Sequence, residues 1–334
     1  MKLRRFFDFV GCITLGLLSA AASAQAQAQT QAQTQAAAFP TRALKIVVPT
    51  SPGSGSDTTA RYFGEQLAAA LGQPVIIDNR PGANGTLAAL AVKQAPADGY
   101  TLFLATNTHM AVNPVVVKDL SYDAVKDFKP LTGLARGMML IVVPASSKVG
   151  SLAELVSAAK ASKQQLNVGS YTAGFHLSAV WLGSVTGTRH VNVPYKGAPE
   201  VFNALLGDQL DWSVSDVIAA MPQVTGGRLR ALAVSGEVRH PDYPTIPTVK
   251  ESGYPDYVNY TWTSLYIRAE TPETVSTRLV EALQKILASA SAKAFIAKIG
   301  SDPMPLAPPA MRAFQASETE RFRRIADAAG IKPE

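Results

Sequence analysis

Cysteine is nearly absent from this chain. The one cysteine among the 334 residues is Cys12, inside an apolar N-terminal stretch. A lipoprotein attachment there wants an aliphatic residue three positions earlier, where Phe9 stands, and would cut the apolar run short. Beyond Cys12 there is no thiol, which excludes disulfides, cysteine nucleophiles and cysteine-held metals. Histidine is scarce too. His109, His176, His190 and His240 are widely spread, with no His-Glu-x-x-His and no paired ligand spacing, so no metal is expected. The Gly-Lys-Ser/Thr ending of a phosphate-binding loop is missing, and no cofactor is expected. There is no run of five or six like charges and no basic stretch interleaved with aromatics, so nucleic acid is not an expected partner. After the first two dozen residues no segment is long and apolar enough to span a membrane.

What is present begins with a leader. Lys2, Arg4 and Arg5 give a basic start, Phe6 to Ala20 is largely apolar, and "AAASAQ" offers a small-x-small cleavage site after Ala24. These are the three parts of a secretory signal peptide, expected over residues 1–24 of an exported protein. "QAQAQTQAQTQAAA" follows over 25–38, a repeat without charge or core-forming side chains that reads as a disordered tether. The formal charge of +6 becomes +4 once Lys2, Arg4, Arg5 and Asp8 leave, a mild excess that concerns solubility more than a partner. About 310 residues remain, enough for a large core without disulfides and for roughly two domains.

From Leu44 onward short apolar runs alternate with helical patterns. The expected strands are "LKIVV" (44–48), "PVIID" (74–78), "YTLFLAT" (100–106), "MMLIVV" (138–143), "LNVGS" (166–170), "HVNVPY" (190–195), "LDWSVS" (210–215) and "LRALAV" (229–234). Ser151 and Glu154 have capping-box spacing, and Thr271 before Pro272 suggests a cap followed by a first helical residue. Val275, Leu279, Leu283, Ile286 and Leu287 then mark one helical face. Strand–helix alternation means largely parallel sheets covered by helices, an α/β protein. The strand count alone permits a barrel. Against it, the chain from about Ala269 reads as helical without a further strand, and "MMLIVVPASS" and "YTWTSLYIRAE" look like connectors flanking an inserted middle block.

Seven motifs in order carry a family resemblance: "IVVPTSPGSGSDTTAR", "GQPVIIDNRPGANG", "APADGYTLFLATNTHMAVNP", "YDAVKDFKPLT", "VNVPYKGAPEVFNALLGDQLDWSVSD", "GGRLRALAVSG" and "PTIPTVKESGYPDY". The series resembles the Bug, or TctC-like, family of periplasmic substrate receptors of tripartite tricarboxylate transporters, over the chain from Phe39 to its end. The resemblance implies a two-lobed type II periplasmic-binding-protein fold, with two doubly wound sheets joined by two hinge strands. Lobe 1 would be 39–140 plus 262–334, and lobe 2 the inserted 141–261. It also implies a periplasmic receptor without enzymatic activity; a receptor that must open and close needs no partner subunit, so a monomer is expected. Such a receptor closes on a small carboxylate (an organic, amino or aromatic acid) and passes it to membrane permease subunits. A carboxylate sensor signalling to a membrane partner has the same fold and pocket, so the two readings stay open. Two departures touch the pocket: Gly53-Ser54-Gly55 stands where the family has adjacent glycines, and "GSYTAGFH" is shorter than usual.

The first loop, "PTSPGSGSDTTAR", has a physical reading of its own. Glycine lets the backbone bend with positive φ and approach a ligand, and first-turn amides of a following helix have no helical partner. Pro52, Gly53, Ser54, Gly55, Ser56 and Asp57 can therefore form an anion site at a helix start near Ser56 or Asp57. Without the resemblance, an ordinary glycine turn capped by Ser56 or Asp57 fits equally well. Thr106, Asn107, Thr108 and His109 close the third strand, where open α/β sheets bind ligands. Ser170, Thr172, Ala173 and Gly174 repeat the pattern in the second lobe, with Tyr171 or Phe175 as a wall. Tyr195, Lys196 and Gly197 end a further strand; Lys196 is an anion-binding charge or, the preferred reading, solvated. Asp216 either accepts from a ligand amine or hydroxyl or, again preferred, caps a helix. The enzyme alternative is a serine hydrolase, but "GSGSD" lacks the final glycine of a Gly-x-Ser-x-Gly elbow, and His109 and Asp216 would have to complete the triad from a distance.

Overall fold

The computed structural model describes residues 39–333; the expected signal peptide and the Gln/Ala/Thr-rich tether lie outside the described residues. The chain divides at Thr41/Arg42, and the architecture below is that of the part from Arg42 onward. It opens with β1 (Leu44–Val48), α1 (Gly55–Leu71), β2 (Val75–Asn79), α2 (Thr86–Lys93) and β3 (Thr101–Thr106). A π-turn (Thr108–Val112) and a short α3 (Asn113–Val116) lead to the 17-residue β4 (Phe128–Pro144). Then come α4 (Leu152–Ala161), β5 (Leu166–Ser170), α5 (Ala173–Thr186), β6 (His190–Pro194), α6 (Ala198–Leu206), β7 (Trp212–Asp216), α7 (Val217–Thr225) and β8 (Leu229–Val234). β9 (Tyr260–Arg268), α8 (Glu273–Ala288), α9 (Ala290–Lys298), β10 (Ser301–Pro303) and α10 (Pro308–Ala328) complete the chain.

All ten strands belong to one hydrogen-bonded sheet in the order β2-β1-β3-β9-β4-β7-β5-β6, with β8 and β10 also pairing with β4. In one wing β2, β1 and β3 run parallel, and β9 runs antiparallel between β3 and β4. In the other, β6, β5 and β7 run parallel, and β7 meets β4 antiparallel. β4 belongs to both. Phe128–Met138 pairs with β9, and from Met139 onward the strand pairs with β7 and β8. Its register slips at Pro130/Thr132, Gly133/Ala135 and Ile141/Val142, and such bulges bend a strand and increase its twist. The sheet curls accordingly.

Helices cover the inner parallel strands β1, β3 and β7, which are buried along nearly their whole length, while the edge strands β2 and β6 are only partly covered. Phe103, Phe128, Trp262, Tyr266 and Phe322 anchor one core. Val168, Trp212, Val214, Leu232 and Tyr257 anchor another. The sequence-level expectations met the structure closely at "LKIVV", "LNVGS" and "LRALAV", and on the buried face Val275–Leu279–Leu283 of α8.

Three expectations need correction. The carboxyl-terminal third does hold a further strand, β10, which pairs antiparallel with β4. "MMLIVV" is only the second half of a strand that starts at Phe128. Pro272, and not Thr271, precedes the first residue of α8, while the Thr271 hydroxyl is buried without a partner. The α4 cap did form, with Ser151 accepting from the Glu154 amide; the Glu154 carboxylate reaches back to the Gly150 amide, one residue beyond the usual box.

Candidate functional site

The loop after β1 bends at Gly53, whose φ is +84°. α1 starts at Gly55, earlier than the capping reading expected, so Ser56 and Asp57 sit inside its first turn. Ser54 occupies the cap position in extended conformation, but its hydroxyl does not cap; it accepts from the Ala198 amide at 3.1 Å. The amides of Gly55 and Ser56 have no acceptor among the described residues.

Asp57 points back into its own loop. One carboxylate oxygen accepts from the Gly53 amide (2.9 Å) and Arg61 Nε (3.0 Å), the other from Asn79 Nδ2 (3.0 Å). Burial opposes its charge, yet the hydrogen bonds from Arg61, Gly53 and Asn79 hold the carboxyl below the ordinary carboxylate range. Asn79 Nδ2 also donates to the Thr50 carbonyl at 3.0 Å, so this cluster fixes the loop from behind.

After β3, the His109 ring accepts from the Thr106 amide at 3.1 Å through Nδ1. Burial pushes its pKa down to about 3, so the ring is neutral. Its Nε2 abuts Gly85, where an added Cβ would stand 2.1 Å away. His109 therefore shapes the turn and does not enter the cleft. Thr108 Oγ1 instead donates to Thr172 Oγ1 at 3.0 Å, joining the two wings.

In the second wing Thr172 caps α5 and Asp216 caps α7, the latter accepting from the Ala219 amide at 2.8 Å. The Tyr171 hydroxyl donates to the other Asp216 oxygen at 2.5 Å. Burial raises the pKa of Asp216, and burial together with the Asp216 charge raises that of Tyr171. Further bonds close the wings on each other: Ser51 donates through its amide to the Lys196 carbonyl (3.2 Å) and through its hydroxyl to Glu200 (2.7 Å). Glycines make the seam. A Cβ on Gly174 would lie 2.4 Å from Thr108 Oγ1, one on Gly197 2.6 Å from Ser51 Cβ, and one on Gly55 2.4 Å from Asp216 Oδ1.

A cavity of about 30 Å³ lies where these elements meet, room for only a water or two. Of the residues read from the sequence, Gly55, Ser56, Thr106, Asn107, Thr108, Thr172 and Asp216 line it, with Tyr171 and Phe175 as walls. Pro52 and Gly53 are exposed at the loop tip, and Ser54, Asp57, His109, Gly174 and Gly197 stand behind the lining or along the seam. Ser170 is tied to Asn192, Ala173 packs in the core, Tyr195 is half-buried, and the Lys196 side chain is exposed. Sequence reading missed Thr50, Ile218, Thr261 and Thr263. The alternation of Thr261 and Thr263 along β9, which puts both on one face, was the available signal.

The lining is polar but nearly uncharged. Thr50 Oγ1, Asn107 Nδ2 and Thr263 Oγ1 are buried without a partner, whereas buried polar groups are ordinarily paired. No Lys, Arg or His lines the cavity among the described residues; Asp216 is its one ionisable acid. The serine-hydrolase arrangement does not form, since His109 is engaged with Thr106 and Ser54 Oγ with Ala198.

Comparison with known proteins gives a consistent result. The sequence matches the family described as tripartite tricarboxylate transporter family receptor over residues 59–331. A UPF0065 protein of Bordetella bronchiseptica is 32% identical over 295 residues, 88% of each chain. A structure from R. palustris with adipate superposes with a TM-score of 0.86 at 32% identity, covering 89% of this chain and 100% of that one. The periplasmic binding protein BugD gives a TM-score of 0.85 at 27% identity, over 89% and 100%.

Proposed function

The chain belongs to the tripartite tricarboxylate transporter receptor family, a family of periplasmic binding proteins and not of enzymes, and from that premise we propose that it is an exported receptor for a small carboxylate. The ligand binds in the cavity bounded by the β1–α1 loop, the β3 turn and the caps of α5 and α7, and is handed to membrane permease subunits. Lobe 1 is 39–140 plus 262–334, lobe 2 is 141–261, and the hinge includes the point in β4, near Met138 and Met139, where its partner changes from β9 to β7.

The observation that carries this reading is the set of three unpartnered buried polar atoms, on Thr50, Asn107 and Thr263, around a cavity without a cation. Burying a carboxylate has an effective penalty of several kcal/mol, and a hydrogen bond to a charged group contributes about 1.5–3 kcal/mol. One helix start therefore does not suffice. The Gly55 and Ser56 amides together with neutral side-chain donors do, provided that both lobes contribute. A relative that binds adipate points to the same ligand class. Because the cavity is small, the cleft opens to admit the ligand and recloses around it.

Thermal unfolding in the presence of mono-, di- and tricarboxylates and amino acids tests the proposal. A ligand at a hundred times its Kd stabilises the folded protein by about 2.7 kcal/mol, a rise of several degrees in Tm. A flat response across the whole panel overturns the reading.

A further inference from the structure

We propose that Asp216 makes this site selective for acids that carry a hydrogen-bond donor on the carbon next to the carboxylate, 2-ammonio acids first and 2-hydroxy acids second. The inference rests on the carboxylate-receptor reading and goes on to name which acids fit.

The argument is one of placement. Asp216 is 7% exposed and lines the cavity. Its carboxylate lies directly across the seam from Gly55: an added Cβ there would stand 2.4 Å from Oδ1 and 3.0 Å from Oδ2. Gly55 is the first residue of α1, and its amide and that of Ser56, without acceptors among the described residues, are the donors of the carboxylate reading. A ligand carboxylate held by those amides therefore comes to rest beside a second, buried carboxylate. Asn107 Nδ2 and Thr50 Oγ1, both on residues 2% exposed and both unpartnered, mark the same cavity as built for a ligand.

Two acids side by side in a closed cavity repel each other, and no Lys, Arg or His of the lining separates them. The ligand must bring the separating group itself. An ammonium or hydroxyl on the adjacent carbon is close enough to its own carboxylate to fit between the two. Asp216 has the capacity to receive it. Oδ1 accepts from Ala219 and Oδ2 from Tyr171, which leaves a lone pair free on each oxygen. Capping α7 explains why an acid is tolerated at position 216, but Asn or Ser caps as well and brings no charge to Gly55.

Calorimetric titration of the full chain with three matched series tests this: succinate, malate and L-aspartate; propionate, lactate and alanine; phenylacetate, mandelate and phenylglycine. In any series that binds, affinity should rise from hydrogen to hydroxyl to ammonium, with at least a tenfold span. Asp216→Asn, which keeps the cap, should shrink that span at least tenfold. Parent acids that bind as tightly as their substituted partners overturn the proposal and leave the carboxylate reading intact. A span unchanged in Asp216→Asn overturns it too, since the discrimination then lies elsewhere. No binding in any series removes the reading beneath it. The wild-type series can overturn the proposal even if that variant misfolds, and Asp216→Ser, which also keeps a cap without the charge, then serves as the second variant.

Discussion

Asp57 and Asp216 are buried acids that each face a glycine of the same loop, and their surroundings drive them in opposite directions. Asp57 is held ionised by its donors, Asp216 pushed toward its neutral form by burial. Asp57→Asn should lower stability by about 1–3 kcal/mol in urea unfolding, because it removes charged hydrogen bonds to Gly53 and Arg61. Asp216→Asn should leave stability unchanged or raise it by up to about 1 kcal/mol at neutral pH, since a buried charge disappears and the cap remains. Two losses of similar size would contradict the contrast. His109 and His190 set a pH dependence of their own. Burial lowers both, from 6.5 to about 3 and about 4 respectively. A histidine neutral in the fold takes up its proton first in the unfolded chain, so stability is full above pH 6.5 and falls as pH drops toward 4. Each contributes a slope of up to about 1.4 kcal/mol per pH unit, and His109→Gln should flatten it. A stability plateau reaching down to pH 4.5 would count against this account.

Among the elements, the glycine seam is what lets the two wings of the sheet meet. Gly197→Ala places a Cβ 2.6 Å from Ser51 and 2.8 Å from Ser54 Oγ, in a backbone conformation (φ −171°) that alanine adopts freely. The chain should fold as before but close imperfectly, with binding weakened roughly tenfold or more, as overpacking of about 1–3 kcal/mol implies. Undiminished affinity would show that closure does not use this seam. The same scale shows what the sequence made legible. β1 and β8 are short, largely apolar runs and β5 alternates Leu166 and Val168 with smaller or polar residues, so their limits could be read directly. The first half of β4 could not, because Pro130, Gly133 and Gly137 break its pattern and the bulges at Pro130 and Gly133 follow from its partners. β10 is three residues containing Asp and Pro, a strand only because β4 offers it an edge. In the site, glycine and hydroxyl clusters before α1 and α5 were visible as loops before helices. Whether a given side chain faced the cavity was not: His109 turned inward to Thr106 and Gly85, whereas Thr263 faced the cleft from a strand that read as a connector.

For the molecule as a whole, two cores without a single disulfide stand on either side of one strand. Small-angle scattering should report a smaller radius of gyration on addition of a binding acid, because the open form is the one that admits ligand. An unchanged radius with saturating ligand would argue for a cleft that is closed throughout. β4 has a further consequence. Residues up to Met138 complete one wing and those after it complete the other, so melting either wing strips the other of a central strand. Calorimetry should therefore find one heat-absorption peak and not two. Neither half is a module that genetic shuffling can transplant by itself; the pair is inherited together or lost together.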